Sequence, residues 1–220
     1  MNLLNQELKP YIDSNLIWKI QNDTYVRELE RYGKENIENA ESVFYYDSMA
    51  CLEILSQLSG DSGDELRWKL AIKGVDDLME AFNLDVVAKR DFLFNLSRSF
   101  LREFDADNSV FKKQLSEKYR KEKSEIELAL ASFNGEQEFS SVLESFKTRQ
   151  ENIKMLVKKS SKVAEKDDLK VSKINLLSSY IHMFLNRFLR SKHRLQEMIV
   201  YDLLYQHFKS YVARRQDTKH

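Results

Sequence analysis

One proline and five glycines in 220 residues are too few to divide the chain into many short elements. The sequence therefore predicts long helices rather than a series of strands and turns. A single cysteine, Cys51, excludes an internal disulfide and suits a reducing compartment. It sits on an apolar helical stripe and reads as a core residue rather than a nucleophile. No window approaches the ~18 apolar residues of a membrane span. Met1 to Pro10 lacks the basic region and apolar run of a secretory signal. A cytoplasmic protein with no membrane partner is the expectation. Also missing are His-Glu-x-x-His, paired cysteines, a carboxylate loop, a Gly-rich phosphate loop and a nucleophile elbow, so no metal is expected.

What is present is a soluble balance of 42% apolar and 32% charged residues, enough for one large domain with a real core. The formal charge is zero but uneven. Residues 1–110 hold 12 Lys/Arg against 21 Asp/Glu, and residues 111–220 hold 23 against 14. An acidic half packed on a basic half explains this, as does a basic surface for an acidic peptide or nucleic acid. The lysines are interleaved with glutamates, which is a weak nucleic-acid footprint.

Along the chain, residues 2–13 read as a short amphipathic helix. Leu16-Ile17-Trp18-Lys19-Ile20 reads as the one strand, which alone cannot satisfy its backbone groups. Helical spacing follows over 35–58, with Ser59-Gly60-Asp61-Ser62-Gly63 as its end, then over 64–82 and 85–104. Residues 107–132 and 140–163, joined by a turn at Asn134-Gly135, read as a long helical hairpin that could project from the body. A charged connection over 164–168 leads to final helices at 174–188 and 195–212. The fold class expected is mainly α, with a small N-terminal β element.

Two polar constellations interrupt these apolar stripes. On helix 174–188, His182 stands about 100° around from the core residue Ile181. Asn186 lies one turn on, and Ser178 and Ser179 about one turn back. A neutral imidazole there can accept a proton near pH 7, and Asn186 could fix its tautomer or bind a carbonyl. A satisfied core or surface histidine is the alternative. His193, His207 and His220 have no comparable company. Upstream, Glu28 and Arg31 are spaced to meet on one helical turn that Gly33 stops. The planar guanidinium fork suits a carboxylate, with Glu28 aiming Arg31; a plain surface ion pair is the alternative. Asp47 and Ser48 fall where the 35–58 stripe should be apolar. A carboxylate there must find a donor or a cation, which reads as a helix-pinning network before direct chemistry.

These stretches together resemble one family. Trp18-Lys19-Ile20, Thr24-Tyr25-x-Arg27-Glu28-x-Glu30-Arg31-Tyr32-Gly33, Ala40-Glu41-x-x-Phe44-x-x-Asp47-Ser48, Ile181-His182-Met183-x-x-Asn186-Arg187 and Tyr201-Asp202-Leu203-Leu204 look like the C-terminal domain of lantibiotic dehydratases. That domain also occurs alone as the thiopeptide-type bacteriocin biosynthesis protein. The matches run in order over residues 16–212. The family usually opens with strands carrying a His-Leu-Arg type segment, and nothing like it precedes Leu16. Lys34 stands where the family has a second glycine.

The resemblance implies one elimination-type domain over 1–220, shortened at its N-terminal end. Its reaction would be β-elimination of glutamate from glutamylated Ser or Thr of a ribosomal precursor peptide, leaving dehydroalanine or dehydrobutyrine. A glutamyl-tRNA-dependent partner would supply the glutamate, so no direct nucleic acid is expected and no cofactor is required. A homo-oligomer is allowed. By resemblance His182 transfers the proton, Arg31 holds a glutamate carboxylate or the leaving ester, and Glu28 orients Arg31. Asn186, Arg187 and Arg27 would bind substrate, while Asp47 and Ser48 are structural. Two other readings stay open: the pyridine-forming cycloaddition of thiopeptide assembly, and a non-catalytic peptide-binding subunit.

Overall fold

A computed structural model describes residues 3–21, 23–58, 60–106, 108–131, 140–164 and 172–217. Among them are nine helices and no strand: α1 (Leu3–Asp13), α2 (Leu29–Tyr32), α3 (Ile37–Gln57), α4 (Gly60–Ala81), α5 (Val86–Glu103), α6 (Ser109–Leu130), α7 (Ser140–Ala164), α8 (Lys173–Phe188) and α9 (His193–Asp217). The scarcity of breakers therefore has the consequence expected of it. Local chemistry sets several starts. Asp85, Asn108 and Ser172 each accept a backbone N–H three residues on, at 2.8, 2.9 and 3.1 Å. Such N-caps are worth about 1 kcal/mol each.

The centre is α4. Its Leu70, Ala71, Ile72, Val75, Leu78 and Met79 are at most 1% exposed, because α4 packs against α6, α7, α8 and α9. Gly74 lies under the rings of Phe184 and Phe146; a Cβ there would stand 2.7 Å from Phe184 Cε1 and 2.9 Å from Phe146 Cε1. The absent side chain is what lets α8 and α7 approach. Outside this centre, α3 lies along α7 and α5 along α9.

Three expectations need correction. Leu16–Ile20 forms no strand: residues 17–20 are irregular, with Leu16 and Trp18 exposed. Aromatic and β-branched content cannot make a strand where no second strand completes its ladder. The helices of 107–132 and 140–163 do not project. α6 is held by α9 and α4, α7 by α3 and α4, and both bury apolar faces, including Leu115, Ile126, Phe146 and Ile153. The Ser59–Gly63 breaker does end α3, at Gln57, but the helix expected from residue 64 starts earlier, at Gly60, whose φ of 63° makes the corner. The expected turn at Asn134-Gly135 and most of the connection at 164–168 lie outside the described residues.

Candidate functional site

Helix α8 carries the site. One side of it, with Leu177, Ile181, Phe184 and Phe188, is fully buried. A second row, Ser179, His182 and Asn186, follows the i, i+3, i+7 spacing that keeps side chains on one face. His182 is partly open, its side chain 24% exposed.

The ring of His182 is held at both nitrogens. Nδ1 lies 3.0 and 3.1 Å from the two carboxylate oxygens of Glu197 on α9. Nε2 lies 3.0 Å from Asn186 Nδ2. Glu197 is 2% exposed and gathers further donors: Tyr201 OH at 2.7 Å and Arg194 Nη1 at 3.1 Å. Burial, and then the charge of Glu197, push the Tyr201 hydroxyl well above its ordinary range, so at neutral pH it is a donor. Arg194 also reaches Glu103 on α5 and lies over the Phe100 ring at 4.1 Å.

The cation arrives from α2. Arg31 Nε donates to Ser179 Oγ at 3.1 Å, and its Nη1 donates to Glu28 Oε2 at 3.3 Å. Arg31 is thus fastened one helical turn before His182, about 4.5 Å along the axis of α8. Only a four-residue helix presents it, closed by Gly33 at φ 82°. Tyr32 anchors that helix. It is 3% exposed, stacks on Tyr180 of α8 at 6.1 Å and meets Phe44 of α3 edge-on at 5.2 Å. Burying such a ring stabilises by roughly 2–3 kcal/mol. Arg187 approaches the same aromatic cluster, with its guanidinium 5.1 Å from the centre of the Phe44 ring.

The structure brings together Arg31, Glu28, His182 and Asn186. Of the other expected residues, Asp47, Arg187 and Arg27 are held in ion pairs. Asp47 is 2% exposed and is a bridge. Its Oδ1 accepts from Arg149 Nε at 2.8 Å and its Oδ2 from Arg187 Nη1 at 2.9 Å. Arg149 donates also to the Gly74 carbonyl at 3.1 Å. One carboxylate thereby ties α3, α7, α8 and α4, the helix-pinning network that its place on the stripe calls for. Arg187 spends a donor on this bridge. Ser48 lies half-buried beside Asp47. Arg27 is engaged by Glu41 in a two-point pair, both contacts 2.8 Å. Cys51 is core, its thiol pushed up to about 12 mainly by burial.

Of the other histidines, His193 contacts the Leu189 carbonyl at 2.8 Å. His207 is buried against Phe208 and Tyr211. His220 lies outside the described residues. Among the described residues no group of His, Cys, Asp and Glu is placed to hold a metal ion, and no helix is long and apolar enough to cross a membrane.

Sequence reasoning gave no site role to Glu197, Arg194, Tyr201 or Arg149. The first three follow an Arg-x-x-Glu-x-x-x-Tyr spacing on α9, among the buried Met198, Val200, Leu203 and Leu204. These buried positions form no single stripe for a carboxylate to interrupt, so the argument that singled out Asp47 does not reach Glu197.

Comparison with known families then gives one finding. A model of the family described as lantibiotic biosynthesis dehydratase, C-terminal, matches residues 1–208. No curated protein and no solved structure matches the chain.

Proposed function

We propose glutamate elimination as the reaction of this chain, which belongs to the lantibiotic biosynthesis dehydratase C-terminal family and so serves lantibiotic- or thiopeptide-type biosynthesis with a precursor peptide as partner. The substrate is the O-glutamyl ester of a Ser or Thr in that peptide, made by a glutamyl-tRNA-dependent partner. His182 Nε2 takes the Cα proton. The electron pair forms the Cα=Cβ bond, the Cβ–Oγ bond breaks, and glutamate leaves with the ester oxygen as part of its carboxylate. Arg31 receives that developing charge with its planar fork, and Glu28 aims it.

The observation that carries this reading is the α8 row. A partly open imidazole and an arginine stand one turn apart, the first backed by a buried carboxylate and the second fastened to Ser179. Elimination needs a base and an anion receptor side by side, and proton transfer by a positioned side chain is worth ~10²–10⁴-fold. Asn186 completes the base by occupying Nε2 until substrate arrives.

The test is a mass measurement. The chain is incubated with a synthetic O-glutamyl-Ser peptide, and conversion to the dehydroalanine peptide is followed. Wild type converts it, whereas His182→Ala and Arg31→Ala leave the ester in place. Equal conversion by wild type and both variants refutes the assignment.

A further inference from the structure

We propose that Glu197 is the positioning residue that fixes His182 as its Nδ1–H tautomer and so makes Nε2 the atom that removes the substrate proton. This rests on the elimination reading above and names the part of the machinery behind the base.

The argument begins with what a carboxylate can do. It only accepts hydrogen bonds. Both Glu197 oxygens lie within 3.1 Å of His182 Nδ1, so Nδ1 carries a proton whenever the contact is made. A neutral imidazole then has its lone pair on Nε2. Glu197 cannot swing away to offer the ring another partner. It is 2% exposed, and the Tyr201 hydroxyl and the Arg194 guanidinium hold its oxygens at 2.7 and 3.1 Å. Arg194 supplies the counter-charge that a carboxylate needs at this burial. It is fixed in turn by Glu103 and by the face of Phe100. The chain of contacts therefore runs from α5 through Arg194 and Glu197 to the imidazole.

Among the described residues, several charged and titratable groups face His182 or the residues that hold it. Glu197, Arg194 and Tyr201 face it from α9, and Glu103 acts through Arg194. Arg31 reaches the same face of α8 by way of Ser179. Arg187 on α8 is drawn to Asp47 on α3. Asn186 meets Nε2 from one turn further along α8. With Nδ1 protonated, the Asn186 amide donates to the Nε2 lone pair. After proton transfer Nε2 is a donor, and the same amide serves it by presenting its oxygen. One side chain thus accommodates both protonation states without movement of α8.

The experiment joins two readouts on the whole chain. Histidine ¹⁵N shifts, assigned by the signal lost in His182→Ala, are recorded at alkaline pH, where an imidazole is neutral. The expected wild-type spectrum shows Nδ1 protonated and Nε2 bare. Glu197→Gln, nearly isosteric, should mix the two tautomers and lower kcat for the O-glutamyl-Ser peptide on the order of 10²-fold, with KM little changed. Wild-type His182 found as the Nε2–H tautomer overturns the proposal, and needs no variant to fold. A folded Glu197→Gln that keeps both the tautomer and kcat also overturns it, while leaving elimination standing. A wild type that leaves the ester intact removes elimination itself and with it this role for Glu197, whatever the spectrum.

Discussion

Asp47→Ala should cost this protein about 4 kcal/mol of stability. The carboxylate stands between two guanidiniums that differ in their surroundings. Arg187 is 24% exposed and can turn toward water, so losing Asp47 costs it little. Arg149 cannot turn: its side chain is 0% exposed, with its guanidinium 4.4 Å from the Phe184 ring centre. Without Asp47 it keeps one acceptor, the Gly74 carbonyl. Breaking a buried pair from one side costs ~3–5 kcal/mol, because the charge left behind stays out of water. At roughly 2–4 °C per kcal/mol for a chain of this size, the melting temperature falls by about 10–15 °C. Urea unfolding followed by circular dichroism, with calorimetry beside it, measures both. The cycle is made with Asp47→Leu, Arg149→Met and the pair Asp47→Leu/Arg149→Met. The pair should recover most of the loss, since no uncompensated charge remains buried. An Asp47→Ala loss below ~1 kcal/mol, or a double variant as unstable as Asp47→Ala, refutes the reasoning that Asp47 exists to neutralise Arg149.

Three further outcomes follow from the packing. Gly74→Ala should destabilise by ~1–3 kcal/mol by denaturant unfolding, because a Cβ collides with Phe184 and Phe146 and outweighs alanine's better helix propensity. Burial lowers the His207 pKa from its ordinary 6.5, so the unfolded chain binds its proton more readily; stability is therefore lost as pH falls through about 6.5, and His207→Gln should flatten that limb of a stability–pH profile. Cys51, buried and with its thiol pushed up to about 12, should stay unlabelled by a thiol reagent at pH 8 in the native protein and react fully in denaturant.

The helices were legible because their signal is local. Apolar residues at helical spacing predicted 35–58 and 85–104, and the helices run Ile37–Gln57 and Val86–Glu103. Asp47 was legible for the converse reason, a charge where the stripe called for an apolar side chain. Its partner was not, since Arg149 is 102 residues away and lies among the many cations of the second half. Glu197 was hidden by its helix: α9 buries Met198, Val200, Tyr201, Leu203 and Leu204, so no single stripe set off a polar exception. The strand at 16–20 failed because strand formation is a property of pairs, and one segment carries only half of the evidence. Glu28 with Arg31, and His182 with Asn186, were legible as two local groups because each pair lies within one helical turn, and each pair is in contact; that Arg31 reaches Ser179 is a tertiary fact.

The short helix α2 has a consequence for how the protein meets substrates of different size. The side chain of its Arg31 is 42% exposed and rests on four residues anchored by Tyr32 and Leu29, whereas the carboxylate behind His182 is buried on α9. Stiffness is thus divided unequally between His182 and Arg31. In the elimination proposed above, the atom that would meet a C–H bond with little tolerance is set in the rigid part, and the group that would follow a departing anion is set in the compliant part. Amide exchange should separate them, fast at residues 29–32 and slow through the middle of α8. Under that proposal, such a division would let one fixed base serve many sequence contexts of a peptide, with the adjustment made at the guanidinium.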